Sequence, residues 1–151
     1  MTEFNRKAGV LWTGDLKTGT GLISTESKAL FELPYSYATR FTDEVGLNPE
    51  ELIAAAHAAC FSMSVASTLK QNGYNPVQTE TTATCTFSSN DGGGFEISQM
   101  RLHVRCEVPE IDEESFEKLI KVADENCPVS ILLRDSLKIE ITTALVQTHG
   151  A

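Results

Sequence analysis

Short apolar runs alternate with turn residues through the first forty positions. "KAGVLWTGDL", "TGTGLISTES" and "ELPYSYATRF" each set a few aliphatic or aromatic side chains between glycine, proline, serine and aspartate, a pattern that predicts three strands joined by tight turns. An antiparallel meander is the simplest arrangement. Arg40 closes the third run, and from local sequence an arginine there reads as a solvated surface charge.

The pattern then changes to that of a helix with well-marked ends. Asn48 is a good N-cap, Pro49 suits the first helical position, and Glu50 and Glu51 complement the positive end of the dipole. Asn72-Gly73 supplies the stop. The intervening 23 residues make a rod of roughly 35 Å. Alanines and serines from Ala54 to Ser67 place small residues on every side, so the helix is expected to be buried nearly all round and to pack closely against another helix.

Beyond it, "NPVQTETTATCTFSS" and "FEISQMRLHVRCEVP" alternate apolar and polar positions on either side of "NDGGG", which predicts a long hairpin. The alternation changes parity between Ile97 and Met100, the mark of a β-bulge. Asp112 caps a second helix with Phe116, Leu119, Ile120 and Ala123 at core spacing, Pro128 breaks it and opens a short third helix, and "LKIEITTALVQ" is a last strand. The expected class is α+β, in a single domain over residues 1–151.

Composition narrows the function. With 41% apolar and 22% charged residues the chain is ordinary for a globular protein, and no uninterrupted apolar run of membrane-spanning length is expected. A net charge of −9, from 21 acidic and 12 scattered basic residues, argues against a nucleic acid as partner. The opening "MTEFNRKAGVLWTGD" lacks the apolar core and small-residue cleavage site of a secretory signal, which points to the cytoplasm.

In that setting four cysteines without a CxxC pair do not suggest a disulfide framework. Cys85 and Cys106 fall on the apolar phase of their strands and read as small core hydrophobes, too far apart along the hairpin to be bridged. Cys127, in "ENCPVS", lies at or just before the start of the short helix, where thiols are activated; it reads equally as a turn residue of no consequence. Cys60 lies inside the long apolar helix, which raises a thiol pKa, so periodicity favours a core residue. A reactive Cys60 would need nearby positive charge, for which that helix offers only His57, one turn earlier, and a lone helical histidine is more often a packing residue.

"NPEELIAAAHAACFSM" around the first of these cysteines and "NCPVS" around the second, 67 residues apart, resemble the OsmC/Ohr family of thiol-dependent hydroperoxide reductases, and "GTGLISTES" with "PYSYATRF" favours its OsmC branch. The resemblance runs over nearly the whole chain. It implies an OsmC-like α+β fold in which antiparallel sheets wrap long central helices in an intertwined homodimer, with the active sites at the dimer interface. It also implies a peroxidase with Cys60 as peroxidatic cysteine, Cys127 as resolving cysteine, Arg40 as activating arginine and Glu50 as its acidic partner. The substrate would be an organic hydroperoxide and the reductant a dithiol: a lipoylated protein, a thioredoxin-type protein or a small thiol. No cofactor or metal is implied.

Glu50 and Cys60 are ten residues apart, about 15 Å of rise on an unbroken helix, so one arginine fork cannot touch both. Arg40 and Glu50 are therefore expected to serve Cys60 of the other chain. Three other readings compete: a non-catalytic module binding a small apolar ligand, a metal site of His57, Cys60 and Cys127, which no CxxC or HxxxH pattern supports, and a purely structural stress protein.

Overall fold

The first three apolar runs form β1 (Ala8–Thr13), β2 (Thr20–Thr25) and β3 (Leu33–Tyr35), an antiparallel meander in that order. Gly21 on β2 faces Tyr35. A Cβ at Gly21 would stand 2.2 Å from the Tyr35 ring and 2.8 Å from that of Trp12, so the glycine lets these two aromatics close over the strand, their ring centroids 5.4 Å apart. The third run does not continue as a strand to Arg40, as its sequence suggests. Ser36 ends it and caps a short helix, α1 (Tyr37–Phe41): its hydroxyl accepts from the Thr39 N–H, and Thr39 Oγ1 accepts from the Ser36 N–H at 3.0 Å. This reciprocal capping box satisfies two backbone donors at once and outweighs the strand preference of the tyrosines. Arg40 consequently occupies the last turn of a helix.

The long helix, α2, runs from Pro49 to Gln71 as its signals predict. Asn48 Oδ1 accepts from the Glu51 N–H at 2.8 Å, and Gly73 leaves the helix at φ +90°, a conformation that costs glycine least. The structure is a computed structural model describing residues 1–147, in which the chain divides into two compact units: Met1–Leu52, and the residues from Ile53 onward.

The second unit adds β4 (Gln78–Ser89), β5 (Phe95–Glu107), α3 (Glu113–Asn126), α4 (Pro128–Arg134) and β6 (Lys138–Val146), with sheet order β4-β5-β6. The hairpin of β4 and β5 carries the expected bulge: Thr86 faces Gln99 but Phe87 faces Ile97, so Ser98 is the extra residue. Strand β6 pairs with β5 in parallel, where antiparallel sheets are expected. The crossover through α3 and α4 is the reason, since it returns the chain to the end of the sheet from which β5 started.

The core of this unit forms where Phe61, Val65 and Leu69 of α2 meet Met100, Leu102 and Val104 of β5, with Phe116, Ile120 and Ala123 of α3 joining the same cluster. Asp112 caps α3, its carboxylate accepting from the Ser115 N–H at 2.7 Å.

Two expectations for α2 are corrected. It is not buried all round: His57, Phe61, Val65, Thr68 and Leu69 are buried, whereas Ala55, Ala59 and Ser67 are exposed and Met63 is 75% exposed. Phe61, Val65 and Leu69, spaced by four, join the core of the second unit. It is also the one helix among the described residues with the length and apolar composition to cross a membrane. Three of its polar side chains, however, bond within the second unit: His57 to Ser130, Ser62 to Thr81 at 2.7 Å, and Ser64 to the Ala123 carbonyl at 2.7 Å.

Candidate active site

Cys127 occupies the single residue between α3 and α4 and belongs to both. Its N–H closes α3 on the Asp124 carbonyl at 3.2 Å, and its own carbonyl accepts the first bond of α4 from the Ile131 N–H at 2.9 Å. Pro128, at the first position of α4, has no N–H to lose and fixes the turn between the helices. The Cys127 side chain caps nothing; it points to Cys60, with its thiol donating to the Cys60 sulfur across 3.5 Å. Cys127 is fully buried and Cys60 half-buried. The pair is about 1.5 Å short of a disulfide bond, whose length is ~2.05 Å.

The electrostatics of Cys60 explain why its sequence looks inert. Burial pushes its thiol above the ordinary value, the Val129 N–H at the start of α4 pulls it down, and the Cys127 thiol raises it again. Within this unit, burial prevails.

A second polar contact lies beside the two sulfurs. His57, one turn before Cys60, meets Ser130, one turn after Cys127, through Nε2 and Oγ at 2.8 Å, and both residues are fully buried. Burial depresses the His57 pKa against the opposing influence of Asp124. Asp124 in turn holds Arg134, whose Nη2 donates to the Asp124 carboxylate at 2.9 Å and to its carbonyl at 3.0 Å, tying the end of α3 to α4. His57 stands out in the sequence without a role. Ser130 and Asp124 do not stand out at all, although each is three residues from Cys127, the spacing that puts side chains on one helix face.

The remaining cysteines are packed as their strand phase predicts. Cys106 is buried, its thiol pushed up by burial and partly offset by a 3.8 Å contact with Thr79 Oγ1. Cys85, half-buried, lies opposite Met100. Six residues of β5 separate Met100 from Cys106, or about 20 Å, which rules out a bridge. Among the described residues no group of three His, Cys, Asp or Glu side chains could hold a metal ion.

In the first unit Arg40 and Glu50 form a forked pair. Nη2 donates to Oε1 at 2.7 Å, and Nε donates to Oε1 and Oε2 at 3.1 and 3.3 Å. Glu50 is buried at the start of α2, while about a third of the Arg40 side chain (33%) remains exposed. Its guanidinium lies 5.2 Å from the Phe41 ring centroid, on the wall of a cavity of about 340 Å³ lined by Trp12, Leu16, Tyr35 and Tyr37. An arginine held by one carboxylate beside aromatic walls can orient an oxygen of an apolar molecule.

The chain belongs to the OsmC family: the profile described as OsmC-like protein matches residues 41–142, a span that runs across both units. Peroxiredoxin OsmC of Escherichia coli (strain K12) is 42% identical over 136 residues, 90% of this chain and 94% of that protein. Organic hydroperoxide resistance protein-like 1 of Staphylococcus saprophyticus is 28% identical over 83% of this chain and 88% of its own length. Among solved structures, an OsmC-like protein from Mycoplasma pneumoniae matches with a TM-score of 0.75 at 17% identity, covering 96% of this chain and 99% of its own. An organic hydroperoxide resistance protein from Elizabethkingia anophelis matches with a TM-score of 0.74 at 23% identity, over 96% and 99%.

Proposed function

We propose that this peroxidase of the OsmC family reduces organic hydroperoxides, and hydrogen peroxide less well, by a two-cysteine cycle. The Cys60 thiolate attacks the outer O–O oxygen, the alcohol leaves, and Cys60 becomes a sulfenic acid. Cys127 then condenses with it, releasing water and forming a disulfide that a dithiol in the cytoplasm reduces. The observation that carries this reading is the 3.5 Å contact between the two sulfurs.

Activation of Cys60 requires a cation, because burial holds its thiol up. Arg40 is suited to this: it carries a planar guanidinium, and Glu50 fixes its fork. The ten-residue separation of Glu50 and Cys60 along α2 favours a homodimer in which Arg40 and Glu50 of one copy serve Cys60 of the other. The exposed side chains of Ala55, Ala59 and Met63 on α2, and of Val10, Leu11 and Leu22 on the first sheet, support the same arrangement, since a second copy would cover them. The aromatic cavity beside Arg40 favours an apolar hydroperoxide. Each copy is read as one OsmC-like domain over residues 1–151.

The deciding experiment treats the protein with cumene hydroperoxide and a dithiol, follows peroxide consumption, and maps disulfides by mass spectrometry. A Cys60–Cys127 bond and loss of consumption in Cys60→Ser are expected. Unchanged consumption in Cys60→Ser would favour a binding module for a small apolar ligand.

A further inference from the structure

Two contacts run side by side between α2 and the α3–α4 junction. Cys60 meets Cys127 at 3.5 Å, and His57 meets Ser130 at 2.8 Å. On α2 the two members are three residues apart, and on the junction they are again three residues apart, so both contacts belong to one ladder with successive helical turns as its rails.

The lower contact is costly by the rules of a core. His57 and Ser130 are fully buried, and no partner for His57 Nδ1 exists among the described residues. An apolar pair would fill this space without burying a ring nitrogen. What the polar pair adds is direction: a hydrogen bond has a preferred length and angle, whereas apolar packing allows sliding.

We propose that His57 and Ser130 are positioning residues for disulfide closure: their hydrogen bond holds the start of α4 in register with α2, so that Cys127 meets the Cys60 sulfenic acid before a second peroxide does. The proposal rests on the two-cysteine cycle above. In closure the Cys127 sulfur displaces hydroxide from the Cys60 sulfenic acid, the Cys127 proton leaves with that hydroxide as water, and one S–S bond replaces one S–O and one S–H bond. The oxidising equivalent comes from the hydroperoxide already consumed. The competing event is attack of the sulfenic acid on a second hydroperoxide, giving sulfinic acid. Closure needs the sulfurs to approach by about 1.5 Å, and a junction free to slide along α2 would miss that approach more often. Asp124 and Arg134 tie α3 to α4, and Ser64 ties α2 to α3 at the Ala123 carbonyl, so the direct hydrogen bond from α2 to α4 is that of the histidine and serine.

The test is rapid-quench oxidation of the full chain with cumene hydroperoxide, alkylation of remaining thiols and intact-mass analysis, which separates sulfenic acid, disulfide and sulfinic acid at Cys60. Ser130→Ala is expected to slow closure about tenfold, the order expected for one hydrogen bond, with a much smaller effect on the first oxidation and a sulfinic fraction that grows with peroxide concentration. Ser130→Thr, which keeps the hydroxyl, is expected to restore closure. His57→Leu, which removes the hydrogen bond from the α2 side, provides the same partition measurement should Ser130→Ala fail to fold, and is expected to raise the sulfinic fraction as well. Closure within about twofold of the unsubstituted protein in both variants, or equal slowing of both steps, overturns the proposal. A chain that consumes peroxide but never forms the Cys60–Cys127 bond overturns the underlying cycle instead, so the two failures are distinguishable.

Discussion

The sulfurs of Cys60 and Cys127, 67 residues apart in sequence, lie 3.5 Å apart in the fold. They meet because Pro128 forces α3 to stop at Cys127 and α4 to start there, leaving the thiol at a corner instead of on a helix face.

That proximity predicts different fates for the two substitutions. Cys60→Ser should reduce hydroperoxide consumption to the uncatalysed background. Cys127→Ser should consume about one equivalent per chain in reaching the sulfenic acid and a second as Cys60 is driven to sulfinic acid, and then stall. Peroxide titration with intact-mass analysis checks both.

The proposed homodimer, with each site served by two chains, predicts how mixed dimers behave. Cys60→Ser and Arg40→Ala homodimers should both be poorly active, with Arg40→Ala slowed roughly 10- to 100-fold for loss of charge-assisted bonds. A hybrid of one copy of each keeps an intact Cys60 opposite an intact Arg40 at one of its two sites. Refolded mixtures should therefore regain activity; with Arg40 acting in its own chain they would regain none.

Glu50 is the buried partner that fixes the arginine fork. Glu50→Gln should weaken the peroxide-attack step by about tenfold or more, because a neutral amide forms weaker bonds to the guanidinium. Arg40→Lys should not restore it, since an ammonium lacks the planar fork. Single-turnover oxidation of Cys60 measures both.

Stability should depend on acid through His57. Burial holds its pKa below the usual 6.5, with Asp124 opposing, so the unfolded chain takes up the proton first as pH falls. The stability is complete above about pH 6.5 and is lost as pH falls through the lower folded value. Urea unfolding at about pH 5 and pH 7.5 should show the loss, and His57→Gln should flatten it.

Phe61 is fully buried where α2 meets the second sheet. Phe61→Ala should cost about 3–5 kcal/mol. Chemical denaturation followed by far-UV circular dichroism checks it.

Much of this architecture is legible in the residues because its causes are local. Asn48 and Gly73 end α2 by bonds and backbone angles within a few residues of themselves, Asp112 does the same for α3, and the parity change before Met100 marks the bulge at Ser98. The short helix carrying Arg40 is also local, but its capping box is hidden in a run of strand-forming residues. The parallel pairing of β6 is not local at all: it depends on the path of two intervening helices.

The site divides in the same way. By itself the sequence determined which side chains are chemically able to act, two cysteines in distinctive surroundings and an arginine with an acid ten residues on, and it resembled a family in which they do. Only the tertiary structure decided that Cys127 faces Cys60 and that Ser130 faces His57. Caps, turns and periodicity are settled by neighbours along the chain, whereas a contact across 67 residues exists only after the core has closed and fixed both ends at once.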